Sequence, residues 1–427
     1  MRLRGSATAL AFAFVSMAAL VGGCGSAPAT GSSAPKVIKI GFLAPETGNA
    51  AASGADMIHG WQMWWKQHGS TIDGYKVETT FYDTGSDPQQ ALTKARQAVQ
   101  QDGMQMIVGP YLASSGLAVA PYLEQSQVPF FMPTVSADDL TQRTRSPYLI
   151  RTAGWTSSQT THPAGTWAYD QGYHTVVTIG SEYAFGYETV GGFAQTFTAK
   201  GGKVLKQLWT PLGTANFGPF LSQVRLLKPQ AVFVEMVGAD APNFLKQWQS
   251  FGLAGNVKLI GNETLTDQSN IRTLPLKDVV GITTFAHYAE GRQNSATQQF
   301  DQQFSKAYKE LPSYMAAACY TSAEWIAQAI GKTNGNVTKK VAFLNAVRSI
   351  SFTDTPLGPM KLDQYGNPIE NVYIRTVEAT PSQYSKVAVA WNVPTYTYHN
   401  VSQFWTFNPA QYLKQPDYSP TFQGIAK

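Results

Sequence analysis

From Val37 onward the chain alternates short apolar runs with stretches of helical periodicity, and it does so in two successive series. Residues 37–43 read as an apolar strand, and residues 55–68 set Met57, Trp61, Trp64 and Trp65 at helical spacing. Residues 76–83 alternate as a strand does, and Asp87-Pro88 then opens a helix to about Gln101, as N-cap and first helical residue. A strand over 104–110, a helix over 114–125 and a strand over 128–134 close the first series. The second has strands at 174–180, 204–209, 231–237 and 258–261, with helices at 187–200, 217–227 and 243–251 between them. Such alternation implies parallel sheets with helices on both faces, so the expected fold is α/β: two doubly wound parallel-sheet lobes joined by a multi-strand hinge. Residues 147–152 read as one crossing strand and 281–287 as a second. Phe300, Phe304, Tyr308 and Leu311, then Val341, Leu344 and Val347, give helical faces that complete the first lobe. The expected partition is lobe 1 over 37–150 and 285–352, and lobe 2 over 151–284 and 353–427. The last of these segments ends in an aromatic tail with Phe404, Trp405, Phe407 and Tyr412, whose plainest role is to wrap the lobes.

What precedes Val37 concerns location. Arg2 and Arg4 flank a charge-free apolar run over 7–21 that ends in Val21-Gly22-Gly23-Cys24, and the run is too short to span a membrane. It reads as a secretory signal over residues 1–23 and resembles a bacterial lipobox, which implies lipidation of Cys24 and an extracytoplasmic body held at a membrane. Residues 25–35 contain almost only Gly, Ser, Ala, Thr and Pro, the composition of a flexible linker. By random-coil scaling that leash reaches on the order of 20 Å.

Without the leader the chain keeps about 400 residues, too many for one core. Its 43% hydrophobic and 14% charged residues are those of a globular protein, and a formal net charge of +5 without basic clusters excludes nucleic acid as the expected partner. With Cys24 committed to lipid, Cys319 is the remaining cysteine, so no internal disulfide is expected in a monomer. Cys319, in the small-residue string Ala316-Ala317-Ala318-Cys319, reads as a packing residue. There is no G-x-S-x-G elbow, P-loop string or C-x-x-C, and His59, His68, His162, His174, His287 and His399 show no metal-ligand spacing. No enzyme activity, cofactor or metal is expected.

Several strings in order carry a family resemblance: Ile40-Gly41 to Thr47-Gly48, Tyr82-Asp83 with Asp87-Pro88, Gly109-Pro110 to Pro121, Val128-Pro129 to Ser136, Ile150-Arg151-Thr152, Phe185-Gly186 and Gly358-Pro359. Together with the lipobox they resemble the extracytoplasmic solute-binding proteins of branched-chain amino acid ABC transporters, the leucine/isoleucine/valine-binding family with the type I periplasmic fold. The resemblance implies capture of a small ligand by hinge closure and delivery to a membrane permease. The same fold also serves extracytoplasmic sensors.

In open parallel sheets ligands bind beyond the carboxyl ends of strands, where helix N-termini present free N–H groups. Ser114 and Ser115, in Ala113-Ser114-Ser115-Gly116, suit a carboxylate there. Without a gap the family's ligand-contacting serine aligns with Ala113; a shift of one residue places it at Ser114. Thr134 and Ser136 resemble the family's pair that grips the ligand head through a carbonyl and a hydroxyl. Glu263 resembles the acidic residue that pairs with an α-ammonium. Phe185 stands where the family commonly has tyrosine, and Thr156, beside Trp155, where it often has an acid. Tyr314 and Met315 occupy the region that contacts the ligand side chain, and each reads equally as core. Trp155, Phe185 and Tyr314 together suit an aromatic or bulky aliphatic group. Asn371-Val372-Tyr373-Ile374-Arg375 resembles a subgroup that includes receptors for aromatic carboxylates. Two ligand classes stay open: a hydrophobic amino acid and an aromatic carboxylate.

Overall fold

β1 (Lys36–Ala44), whose inner half is fully buried, pairs in parallel on both edges and anchors the first sheet. The computed structural model describes residues 36–425; the leader, Cys24 and the linker lie outside the described residues. β2 (Thr71–Ile72), β3 (Tyr75–Asp83), β4 (Met106–Val108), β5 (Phe130–Phe131) and β6 (Leu149–Ile150) complete a six-stranded sheet in the order β2-β3-β1-β4-β5-β6. Only the short β2–β3 hairpin is antiparallel.

Three helices connect these strands: α1 (Ala51–His68), α2 (Pro88–Arg96) and α3 (Ala113–Gln125). Asp87 caps α2 as its type predicts, its carboxylate accepting from the Gln90 N–H at 2.7 Å. The helix expected as far as Gln101 stays α-helical only to Arg96 and widens into a π-turn over Gln97–Gln101. The strand expected over 128–134 keeps ladder pairing only at Phe130–Phe131, because Pro129 and Pro133 on either side have no N–H to donate.

The second lobe follows with α4 (Ser157–Asp170), β7 (Thr175–Ser181), α5 (Ala184–Ala199), β8 (Lys203–Thr210), α6 (Gly218–Leu227), β9 (Ala231–Val234), α7 (Asp240–Ser250), β10 (Lys258–Asn262), α8 (Gln268–Ile271) and β11 (Thr283–Ala286). The chain then adds α9 (Ser295–Tyr308), α10 (Tyr314–Lys332) and α11 (Lys340–Arg348), which pack on the first sheet. β12 (Ser351–Phe352), β13 (Met360–Leu362), β14 (Pro368–Ala379) and β15 (Ala390–Val401) come next, with α12 (Pro409–Tyr412) in the tail. β14 pairs with β13 at its start and with β11 further on, both antiparallel, and β15 folds back along it. The second sheet is therefore parallel from β8 through β11, as expected of a doubly wound lobe, with antiparallel strands added at its β14 end.

Each sheet is covered on both faces, as a doubly wound fold requires. α1, α10 and α11 bury Trp61, Trp325 and Phe343 against one face of the first sheet, and α2 and α3 bury Ala95, Val119 and Leu123 against the other. In the second lobe α6 and α7 supply Leu221 and Phe244 to one core, and α4 and α5 supply Ala164 and Phe193 to the opposite one. Cys319 is a free, fully buried thiol within α10. The lobes are closed on each other: the Ala239 N–H donates to the Asn49 carbonyl at 3.2 Å, and Arg272 forms a bidentate pair with Asp56.

Candidate ligand site

Where the closed lobes meet they leave a small cavity of about 10 Å³, lined by Tyr111, Leu112, Ala113, Thr134, Ser136 and Trp155, and by Tyr183, Phe185, Val237, Thr264 and Tyr314. Its first wall is the start of α3. Leu112 is the N-cap, in extended backbone (φ −68°, ψ 140°) and without a side-chain cap, and the first helical bond runs from Gly116 N–H to its carbonyl at 3.0 Å. The N–H groups of Ala113, Ser114 and Ser115 thus precede any intrahelical acceptor, on a dipole end that favours an anion. Ala113 lines the cavity and Ser114 does not.

The end of β5 supplies the second wall. The Thr134 hydroxyl donates to the Pro110 carbonyl at 2.9 Å, so its proton is already committed. The Ser157 hydroxyl lies 2.5 Å from Glu188 Oε2 and 3.1 Å from the Ser136 hydroxyl oxygen.

The remaining walls are aromatic. Trp155, only 1% exposed, stacks on His287 with ring centroids 4.1 Å apart and meets Tyr314 edge-on at 5.0 Å. Phe185 and Tyr183 face the cavity from α5 and the loop before it. The Tyr111 hydroxyl and the Trp155 indole N–H are buried without a hydrogen-bond partner. Burial pushes the His287 imidazole down to about 3, with Arg375 adding to the effect, so that ring is neutral.

Of the residues singled out from sequence, Thr134, Ser136, Trp155, Phe185 and Tyr314 meet at the cavity, whereas Ser114, Ser115, Met315 and Glu263 do not line it. Ser115 is buried with its hydroxyl unpartnered, and Met315 is core, its sulfur 4.0 Å from the Ser269 hydroxyl. Glu263 is fully buried with neither carboxyl oxygen hydrogen-bonded; the neighbour that does line the cavity is Thr264. Burial pushes the Glu263 carboxyl up to about 8, against the opposing pull of Arg375. Its carboxyl is protonated at neutral pH. Tyr111, Leu112, Tyr183, Val237 and Thr264 were not foreseen; Tyr111 and Leu112 directly follow Gly109-Pro110, and that adjacency was the available signal.

Residues 37–382 match the family model described as periplasmic binding protein. The chain belongs to the periplasmic binding protein family. A Leu/Ile/Val-binding protein homolog from Brucella melitensis is 28% identical over 348 residues, which span 80% of this chain and 87% of that one. Among solved structures, an ABC transporter solute-binding protein from Rhodopseudomonas palustris BisB5, in complex with 3,4-dihydroxybenzoic acid, superposes with a TM-score of 0.80 at 27% identity, covering 86% of this chain and 98% of that one. Another from R. palustris, with benzoate, gives 0.77 at 25% identity over 84% and 96%. A leucine-binding protein from Thermotoga maritima shares the fold with a TM-score of 0.72 at 21% identity, over 79% of this chain and 95% of that one. This periplasmic binding protein therefore has the type I fold of ABC transporter substrate-binding components, whose location is extracytoplasmic and whose partners are a small ligand and a membrane permease.

Proposed function

We propose that this chain is a lipid-anchored substrate-binding protein that captures a small monocyclic carboxylate by hinge closure and hands it to a permease. The observation that carries the ligand class is the make-up of the cavity wall: helix N–H groups and a serine hydroxyl at one place, aromatic rings elsewhere, and no charged side chain among the lining residues. A carboxylate finds donors there and a ring finds flat apolar surfaces. An ammonium finds no anion. Glu263, the carboxyl that the family resemblance assigns to that role, is protonated at neutral pH and would have to lose its proton before pairing with a cation. The solved relatives that hold benzoate and dihydroxybenzoate point the same way.

A thermal-shift screen of benzoate, 4-hydroxybenzoate, leucine, isoleucine and valine tests this reading. At one hundred times its dissociation constant a bound acid stabilises the protein by about 2.7 kcal/mol. Benzoate-type acids are expected to raise the melting temperature, and Glu263→Gln to leave their affinity within about twofold. A response confined to the amino acids, lost in Glu263→Gln, overturns the ligand class. For the anchor, Cys24→Ser is expected to move the protein from the membrane fraction to the soluble extracytoplasmic fraction; a variant that stays membrane-bound refutes lipidation at Cys24.

A further inference from the structure

α8, one turn of helix in the second lobe, meets the first lobe through a set of polar contacts of which one, to the Tyr314 backbone, reaches a residue of the ligand cavity. Ile271 at its end packs in the core beneath the second sheet, so the turn moves with lobe 2. Its partners on α1 and at the start of α10 pack on the first sheet. Arg272 donates through Nη1 and Nη2 to the two carboxylate oxygens of Asp56 at 3.0 and 2.8 Å. It also donates to the Leu311 carbonyl at 2.8 Å and pairs with Glu310 at 3.1 Å. Asp267 caps two helices at once: it accepts from the Ser269 N–H of α8 at 3.0 Å and from the Tyr314 N–H of α10 at 3.0 Å. The hydroxyls of Ser53 and Ser269 are 3.3 Å apart.

We infer that the contact of α8 with α1 and α10, centred on Asp56 and Arg272, is a closure latch that sets how long ligand is held. The inference rests on the hinge-closure reading and adds positioning residues to it. Asp56 is 1% and Arg272 14% exposed in their side chains in the closed form, whereas separated lobes return both charges to water. Removing Arg272 leaves the buried Asp56 charge unpaired in the closed form alone, and removing Asp56 leaves Arg272 only the more exposed Glu310 and a backbone carbonyl. The bidentate fork also accepts a single geometry, which fixes the angle at which closure ends. Apparent affinity scales with the fraction of closed, competent protein, so latch variants weaken binding without touching the ligand. A second device acts at the same boundary: a Cβ on Gly238 of lobe 2, at φ +53°, would lie 2.5 Å from the Asn49 carbonyl oxygen of lobe 1, a clash in the closed form on top of the backbone strain a side chain meets there.

The test uses the full chain with one spin label on each lobe, and measures inter-lobe distances without ligand and with 1 mM benzoate or leucine as probes. Asp56→Asn and Gly238→Ala are each expected to reduce the closed population about tenfold or more. Benzoate dissociation is expected to accelerate by the same factor, with association within about twofold and the order of preferred acids unchanged. The double variant Asp56→Asn/Arg272→Gln is expected to lose no more than the worse single variant, as a coupled pair does. Closed populations within about twofold of wild type in both single variants, or a wild type that never closes, overturn the latch. If the wild type closes but neither probe binds, the ligand class has failed, and the ligand-free distances still decide the latch.

Discussion

Replacing Trp155 by Ala is expected to weaken binding of benzoate-type acids about a hundredfold or more, roughly 3 kcal/mol at 1.4 kcal/mol per decade. Trp155 is both a cavity wall and the neighbour of the Glu263 carboxyl, and its ring is fixed by His287 on one side and Tyr314 on another. Removing a buried indole takes away the flat surface against which a ligand ring packs, and also costs the fold about 3–5 kcal/mol through lost burial and the void left behind. Trp155→Phe keeps a ring in place and is expected to bind benzoate within about tenfold of wild type, which separates a lost wall from a generally loosened protein. The truncation also joins the cavity to the space beside Glu263. Leucine affinity relative to benzoate is therefore expected to rise in Trp155→Ala, most of all above pH 8, where the Glu263 carboxyl is ionised and can accept an ammonium. Calorimetry on the three proteins at pH 7 and pH 9 checks this. Equal losses for benzoate and leucine at both pH values refute the role of Trp155 as the partition.

Much of the architecture was legible because apolar strands and helical periodicity survive translation into burial. Phe42 and Ile40 in β1, and Met57 and Trp61 in α1, are buried as their spacing required. The antiparallel hairpin of β14 and β15 was not legible, since β14 buries Glu370, Asn371 and Arg375 inside the second lobe, where a polar run reads as surface. Arg375 is tolerated there because it donates to the Thr284 hydroxyl and to the Tyr288 and Glu263 carbonyls, partners more than 80 positions away that no local pattern reveals. The site was legible by region and not by residue. At the start of α3 one position turns a side chain by about 100°, which separates Ala113 from Ser114. After β10 the same single step decides whether Glu263 or Thr264 faces the cavity. Strand ends and helix starts can be read from composition; the phase of the chain as it leaves them depends on packing.

Arg151→Met is expected to lower stability by about 3–5 kcal/mol, more at pH 8 than at pH 5. Arg151 lies fully buried just after β6, where the chain crosses between lobes, and its guanidinium donates to the Val135 and Ala137 carbonyls, the Thr141 hydroxyl and the Asn367 side chain. Those acceptors belong to the segment that carries Ser136 and to the residue just before β14, so one side chain holds a cavity wall to the hinge. Methionine has similar length and no donor, which leaves the buried carbonyls unpaired. The pH dependence follows from the carboxyls around it. Burial raises Asp138 to about 6, from an ordinary 3.8, while Arg151 pulls it back down; burial likewise moves Glu188 up, and its nearness to Asp138 adds to that. A carboxyl raised in the folded state costs stability as pH climbs from its unfolded value to its folded one. Without Arg151 the folded value of Asp138 moves higher, the interval lengthens, and the deficit of the variant grows beyond pH 6. Urea unfolding of both proteins at pH 5 and pH 8 measures this directly. A loss below about 1 kcal/mol, or one equal at both pH values, would show that the guanidinium supports neither the Ser136 segment nor the charge balance at the crossing.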